Sequence, residues 1–204
     1  MDEQKLVSNL ERKGFHVVCF DTAAEAVAYM TSAVSGKTIG IGGSMTVQEI
    51  GLDKALGQHN TVYWHWTPDM VPQCSSSAAL RDLAAGAEVY ISSANAIAET
   101  GEIVNIDGTG NRIASLAYGH KQVFFIVGEN KVTETLDTAL WRARNVAAPK
   151  NAQRLCRNTP CAQKADRCYD CSSPERICKG FLILTNPMTG VEMTVVLVRK
   201  PLGA

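Results

Sequence analysis

Short apolar segments alternate with capped helical segments through residue 146, and this alternation restricts the chain to a sheet with helices packed across it. Residues 16–20 (HVVCF), 38–41 (TIGI), 62–66 (VYWHW), 87–92 (AEVYIS) and 122–127 (QVFFIV) read as strands, the last as the most deeply buried one. Residues 2–13 have helix-forming composition, with Gly14 placed to end them. Thr22 and Glu25 have capping-box spacing before a helix that runs to residue 34, and Thr46 and Glu49 repeat that spacing before another. Further helices are expected over 77–85 and 134–146, the second with Leu136, Leu140 and Trp141 on one side. The expected fold class is α/β, a mostly parallel sheet flanked by helices.

Two stretches interrupt the alternation. Residues 99–102 followed by 103–106 predict a tight strand return. The glycine turn from Asp107 to Asn111 leaves residues 112–116 placed to pair back. Residues 181–184 and 193–198 read as two closing strands, joined by a turn around Asn186-Pro187 and Thr189-Gly190.

Composition bounds the function classes. Lys plus Arg and Asp plus Glu each number 20, so the formal charge is zero, which argues against a dedicated nucleic-acid binder. No apolar run reaches the ~18 residues a membrane span requires. The opening MDEQKLVSNLERKGF is charged throughout and lacks the apolar core of a secretion signal. A cytoplasmic location is therefore expected.

Of the seven cysteines, Cys19 and Cys74 are scattered and five lie between Cys156 and Cys178. In a reducing compartment such a cluster reads as a metal or iron–sulfur site rather than a disulfide framework. Cys161, Cys168, Cys171 and Cys178 have x6-x2-x6 spacing, and the central pair can grip one metal or cluster from a single turn. Zinc and a [4Fe–4S] cluster both accept four thiolates. Structural zinc sites more often carry two short Cys pairs, and this segment has one, so the spacing favours iron–sulfur. Cys156 falls outside the pattern and reads as a spare thiol. The module is expected over residues 156–180.

Two segments have the chemistry of a ligand site. Strand 38–41 runs into Gly42, Gly43, Ser44 and Thr46, where glycines admit a ligand and hydroxyls and free N–H groups of a helix start can hold an anion. The ordinary alternative is a tight strand-to-helix turn with a capped helix. The second segment carries Asn95, Glu99, Asp107, Asn111 and Arg112. Glu99 is the candidate general base and Arg112 the candidate grip on a carboxylate. The ordinary alternative is turn composition alone.

The succession Gly42-Gly-Ser-Met-Thr-Val-Gln-Glu49-Ile-Gly51, Ser93-Ala-Asn-Ala-Ile-Ala-Glu99-Thr-Gly101, Asn105-Ile-Asp-Gly-Thr-Gly-Asn-Arg112 and Val127-Gly-Glu-Asn-Lys131-Val resembles the LUD-domain proteins of bacterial lactate utilisation. Thr159-Pro-Cys161, Cys168, Cys171 and Arg176-Ile-Cys178 look like the cysteine extension of one branch of that family. The resemblance implies one LUD domain over residues 1–204, with a fold like that of the ribose-5-phosphate isomerase and CoA-transferase superfamily. There a glycine–hydroxyl turn holds an anionic group. It also implies a part in oxidising L-lactate to pyruvate beside iron–sulfur partner subunits. The expected partners are then a small anionic substrate and those subunits, with room for a homo-oligomer. The rival function is a non-redox isomerase or acyl-transfer enzyme with Glu99 as base and a structural zinc, or a ligand-sensing subunit.

Overall fold

A computed structural model describes residues 1–67 and 76–204; Cys74 lies outside them. In chain order the elements are α1 (Glu3–Arg12), β1 (His16–Phe20), α2 (Ala23–Ala33), β2 (Thr38–Ile41), α3 (Met45–Glu49), α4 (Leu52–Leu56), β3 (Thr61–Trp64) and α5 (Ser77–Ala85). There follow β4 (Val89–Ser92), β5 (Ala96–Ala98), β6 (Ile103–Asp107), α6 (Asn111–Ala117), β7 (Gln122–Gly128), β8 (Val132–Thr133) and α7 (Leu136–Arg142). A π turn (Ala143–Ala147) leads into α8 (Ala148–Arg154), and α9 (Pro160–Lys164), β9 (Gly180–Leu184) and β10 (Glu192–Val198) complete the order.

Among the described residues a six-stranded sheet runs β1-β10-β7-β4-β2-β3, and each neighbouring pair is parallel. The α/β reading therefore holds. Both faces of the sheet are covered, as parallel strands require. Along β7 the side chains alternate: Phe124 and Ile126 pack with Met30 of α2 and Leu52 of α4 on one face. Val123, Phe125 and Val127 pack with Leu6 and Leu10 of α1 on the other. Phe125 is fully buried, and removal of one such side chain from water is worth about 1.5–3 kcal/mol.

A second sheet, β8-β5-β6-β9, lies against that second face. Ile97 and Ile103 point into the shared core, whereas Ala96, Ala98, Val104 and Ile106 face α7 and the π turn. Alanines at Ala139, Ala143 and Ala148 let this helical segment approach closely. No helix among the described residues is long and apolar enough to cross a membrane.

Several local expectations are corrected. Residues 111–117 form a helix rather than a returning strand. Asp107 Oδ2 accepts the N–H groups of Arg112 (2.9 Å) and Ile113 (3.3 Å), which caps the helix start from across the glycine turn. The cap of α3 is Ser44, whose hydroxyl accepts from Val47 N at 3.2 Å, and not Thr46, which is already inside the helix. The helical segment expected over 134–146 begins at Leu136 and continues past 146 through the π turn into α8, and Trp141 turns outward, 61% exposed. Strand β3 ends at Trp64, so His65 and Trp66 belong to the following turn. Strands β9 and β10 do not pair with each other; they join different sheets.

The tightest approach between layers is at Gly40 of β2. A Cβ there would lie 2.3 Å from Ala84 O and 2.9 Å from the Tyr90 ring. Gly40→Ala is expected to lower stability by about 1–3 kcal/mol through overpacking. Urea unfolding checks this, and an unchanged midpoint would mean that α5 is free to move away from the sheet.

Candidate active site

The parallel strands deliver their loops to one edge. Gly43 and Ser44 follow β2, Ser93, Ala94 and Asn95 follow β4, and Lys131 follows β7. Ligands in open α/β sheets sit beyond these carboxyl ends. A small pocket of about 50 Å³ is lined there by Gly43, Ser44, Ser93, Asn95, Arg112 and Lys131. It shares Gly43, Trp66, Arg112, Asn151 and Arg154 with a larger cleft of about 530 Å³.

Lys131 was not among the candidate site residues, yet it is the most unusual group in the pocket. Its side chain is buried, and Nζ donates to Thr46 Oγ1 at 2.8 Å and to Ser93 Oγ at 3.1 Å. Burial pushes its pKa down to about 7; the nearby Arg142 and Arg112 push the same way, and Glu49 opposes them. The segment Val127-Gly-Glu-Asn-Lys131 follows the most apolar strand, but a lysine in a short turn carries no sequence signal of burial.

Arg112 is held from several sides. Nη1 donates to Gly43 O at 3.4 Å, and Nη2 donates to Asn95 Oδ1 at 3.2 Å and to Ile106 O. Asn95 Oδ1 also accepts from Ile106 N at 2.8 Å, so Asn95 fixes the guanidinium as much as it lines the pocket. Burial lowers the pKa of Arg112 from its ordinary value, and the side chain stays charged. Asp107 is spent on capping α6, and it and Asn111 line the larger cleft. Gly42 packs on Arg112 and Tyr90, while Gly43 faces both cavities. Helix α3 is five residues long, so the positive field of the pocket comes from Lys131 and Arg112 rather than from a helix dipole.

Glu99 is elsewhere. Oε1 accepts from Asp2 N at 2.7 Å, Oε2 pairs with Lys5 Nζ at 3.3 Å, and its carbonyl accepts from Asn9 Nδ2 at 2.8 Å. It ties α1 to the β5–β6 turn and lines neither cavity. The juxtaposition of Glu99 with Arg112 read from the sequence does not occur, because β5 is three residues long and its turn points back under α1. Glu99→Gln is expected to cost about 1–2 kcal/mol of stability and to leave anion binding unchanged. Chemical unfolding and a binding isotherm on the same variant check both halves.

The loop between Cys171 and Cys178 supplies residues 174–177 to the wall of the larger cleft. Cys161 sits on α9 beside the Thr159 hydroxyl at 3.4 Å. Cys168 Sγ accepts from Arg144 Nε at 3.4 Å and from Asp170 N at 3.3 Å, and Cys168 N donates to Asn145 Oδ1 at 3.1 Å. The π turn thus presents both Arg144 and Asn145 to one cysteine, and such turns recur at functional sites. Arg176 Nη1 donates to Cys171 O at 2.8 Å, and the proximity of Cys178 raises the pKa of Arg176. All four cysteines are half-buried free thiols, whereas Cys156 is exposed. Among the described residues no three Cys, His, Asp or Glu side chains are gathered around a point where one metal ion would fit. A [4Fe–4S] cube gives each thiolate its own iron, so its sulfurs stand farther apart, and hydrogen bonds to the sulfurs are part of its ordinary surroundings.

Burial of Lys131 has a pH signature. In the unfolded chain its pKa is the ordinary 10.5, and in the folded protein about 7. Unfolding therefore takes up a proton between these values, and stability rises with pH across that window. Below pH ~7 both states carry the ammonium, and its burial costs stability in full. The melting temperature of Lys131→Met relative to the parent is expected to be highest near pH ~6 and to fall as pH is raised to ~9. A difference that stays level with pH would show that the amine is not protonated on unfolding.

A model of the LUD domain matches residues 3–198. No curated protein matches the chain. Among solved structures, the crystal structure of a DUF162 family protein from Deinococcus radiodurans is similar, with a TM-score of 0.52 and 12% sequence identity. The match covers 96% of this chain and 95% of that one, and at such identity the likeness is one of fold.

Proposed function

The chain belongs to the LUD-domain family, which is associated with lactate utilisation, and from that premise we propose a redox protein that takes part in oxidising L-lactate to pyruvate. The observation that carries the reading is the shared cleft. Gly43, Asp107 and Arg112 form one wall, and residues 174–177, from the loop between Cys171 and Cys178, form the other. An anion pocket and a thiol-rich loop thus face the same space.

In this reading the substrate carboxylate lies against Arg112 and its hydroxyl against Lys131, with the Ser93 and Thr46 hydroxyls orienting the amine. Oxidation of the hydroxy acid breaks its O–H and Cα–H bonds; the Cα hydrogen would leave as hydride, carrying both electrons, to a two-electron acceptor on a partner subunit. Lys131, with its pKa near 7, is suited to take the hydroxyl proton when neutral. A [4Fe–4S] cluster on Cys161, Cys168, Cys171 and Cys178 would supply one-electron transfer towards iron–sulfur partner subunits. Arg144 and Arg176 offset thiolate charge on the protein side. An open groove lined by Cys168, Leu140, Trp141 and Phe181 supports partner docking beside these sulfurs, since Trp141 is 61% and Phe181 45% exposed. The non-redox rival loses its support, because its base, Glu99, is bonded to α1.

Anaerobic purification with iron and sulfide analysis tests the reading. Parent protein and Cys156→Ser are expected to be coloured and to hold iron and sulfide in equal amounts, and Cys168→Ser and Cys171→Ser to lose both. Colourless parent protein, or equal loss from Cys156→Ser, would overturn the assignment. L-lactate binding is expected to weaken in Arg112→Lys, because an ammonium cannot reproduce the planar fork.

A further inference from the structure

The larger cleft carries more positive charge than a lactate-sized anion would balance. Six cationic side chains line it: Arg81, Arg112, Arg154, Arg157, Arg176 and Lys179. None of them is ion-paired among the described residues. The acids in the lining are Asp107 and Glu175, and both are already used: Asp107 caps α6, and Glu175 accepts from Asn158 N at 3.0 Å. The Nε atoms of Arg81 and Arg176 are buried and have no hydrogen-bond partner among the described residues. A buried, unpartnered guanidinium nitrogen is costly unless something arrives to accept from it.

We propose that this cleft binds a small phosphorylated carboxylic acid. Its carboxylate would enter the inner pocket at Lys131, and its phosphate would lie among Arg81, Arg157, Arg176 and Lys179. The inner half rests on the anion pocket of the preceding reading; the outer half assumes neither lactate nor a cluster, and it shares Arg176 with the cysteine loop.

Size and charge both lead to this class. A volume of about 530 Å³ suits a ligand much larger than lactate, which has six heavy atoms. A phosphate ester brings ~1.5–2 negative charges and three strong acceptor oxygens, so carboxylate and phosphate together approach the charge excess of the lining. Guanidinium forks match phosphate geometry in pairs. The inner pocket and the cleft are joined through Gly43, Arg112 and Arg154, so one molecule can reach both. Arg154 is stacked on Trp66, 4.6 Å from the ring centroid, which holds a cation at the junction. His65 in the same wall has its pKa pushed down to about 4 by burial and by Arg81, and adds no charge at neutral pH.

Binding of 3-phosphoglycerate, inorganic phosphate and L-lactate to the full chain, at matched ionic strength, tests the proposal by calorimetry. 3-Phosphoglycerate is expected to bind at least about ten-fold more tightly than either fragment, the value of one charge-assisted contact. Arg157→Gln and Arg81→Gln are each expected to reduce that affinity about ten-fold and to leave L-lactate affinity within about two-fold. Arg157 is exposed, so its variant remains informative if Arg81→Gln fails to fold. Lys131→Met is expected to weaken both acids. Equal affinity for all three probes, or an unchanged isotherm in Arg157→Gln, would overturn the proposal and leave the arginines as solvated surface charge. Tight 3-phosphoglycerate binding without L-lactate binding or a cluster would sink the preceding reading alone.

Discussion

The pairing of β7 with β10, seven residues in register from Gln122 opposite Glu192 to Gly128 opposite Val198, is the constraint on which the other elements rest. It places the last strand of the chain between β1 and β7, in the interior of the sheet. Strands on both sides, and the helices on both faces, therefore depend on a contact between residues ~70 positions apart. The same pairing sets the site. Gly128 ends β7 without a side chain, and a Cβ there would lie 2.5 Å from Leu202 N and 2.7 Å from Lys200 O. The segment after β10 can then cross the end of β7, where Asn130 accepts from Leu202 N and donates to Gly203 O. That crossing covers Thr46 and Lys131 and removes the lysine from water.

Polar groups at this edge hold one another more than they wait for a ligand. Asn95 ties Arg112 to β6, Asp107 ties the glycine turn to α6, and Arg142 donates to the carbonyls of Asn130 and Asn95. Each is a single side chain spanning two chain segments. Such a network fixes the positions of Lys131 and Arg112 before any anion enters, so little ordering cost remains for binding.

The strands of the parallel sheet and the helix cap at Thr22 were legible in the sequence because their signals are local: alternating or continuous apolar runs, and a hydroxyl three residues before the N–H it accepts. Helix α6 was not, because its cap, Asp107, precedes the helix by a glycine turn and the segment 112–116 is too short to show a helical period. The anion site was half legible. Gly43, Ser44, Asn95 and Arg112 do meet at one pocket, but the sequence reading placed the positive charge on a helix start, and a five-residue helix provides little. Lys131 was hidden in a three-residue turn. Glu99 shows the opposite error: a carboxylate beside a Thr-Gly turn has the composition of a catalytic loop, and only the fold shows that it faces α1. The cationic cleft was invisible for a further reason. A formal charge of zero averages over the chain, whereas Arg81, Arg112, Arg154, Arg157, Arg176 and Lys179 come from separate segments that the sheet brings together.

Arg176 joins the two halves of this arrangement. It lines the wall of the cleft, while its guanidinium donates to Cys171 O and lies near Cys178. One positive charge is thus shared between the thiol side and the anion side. Negative charge on Cys178 draws the guanidinium towards sulfur, and an anion in the cleft draws it the other way. Two anionic centres that compete for a common cation are coupled, and the coupling is reciprocal: whatever an anion in the cleft does to the charge preference of the sulfurs, added charge on the sulfurs does to the affinity of the cleft. Arg144, which is bonded to Cys168 and Asp170 on the other side of the loop, does not line the cleft. The asymmetry between these two arginines leaves one cation of the cysteine loop on the cleft and the other on its outer edge.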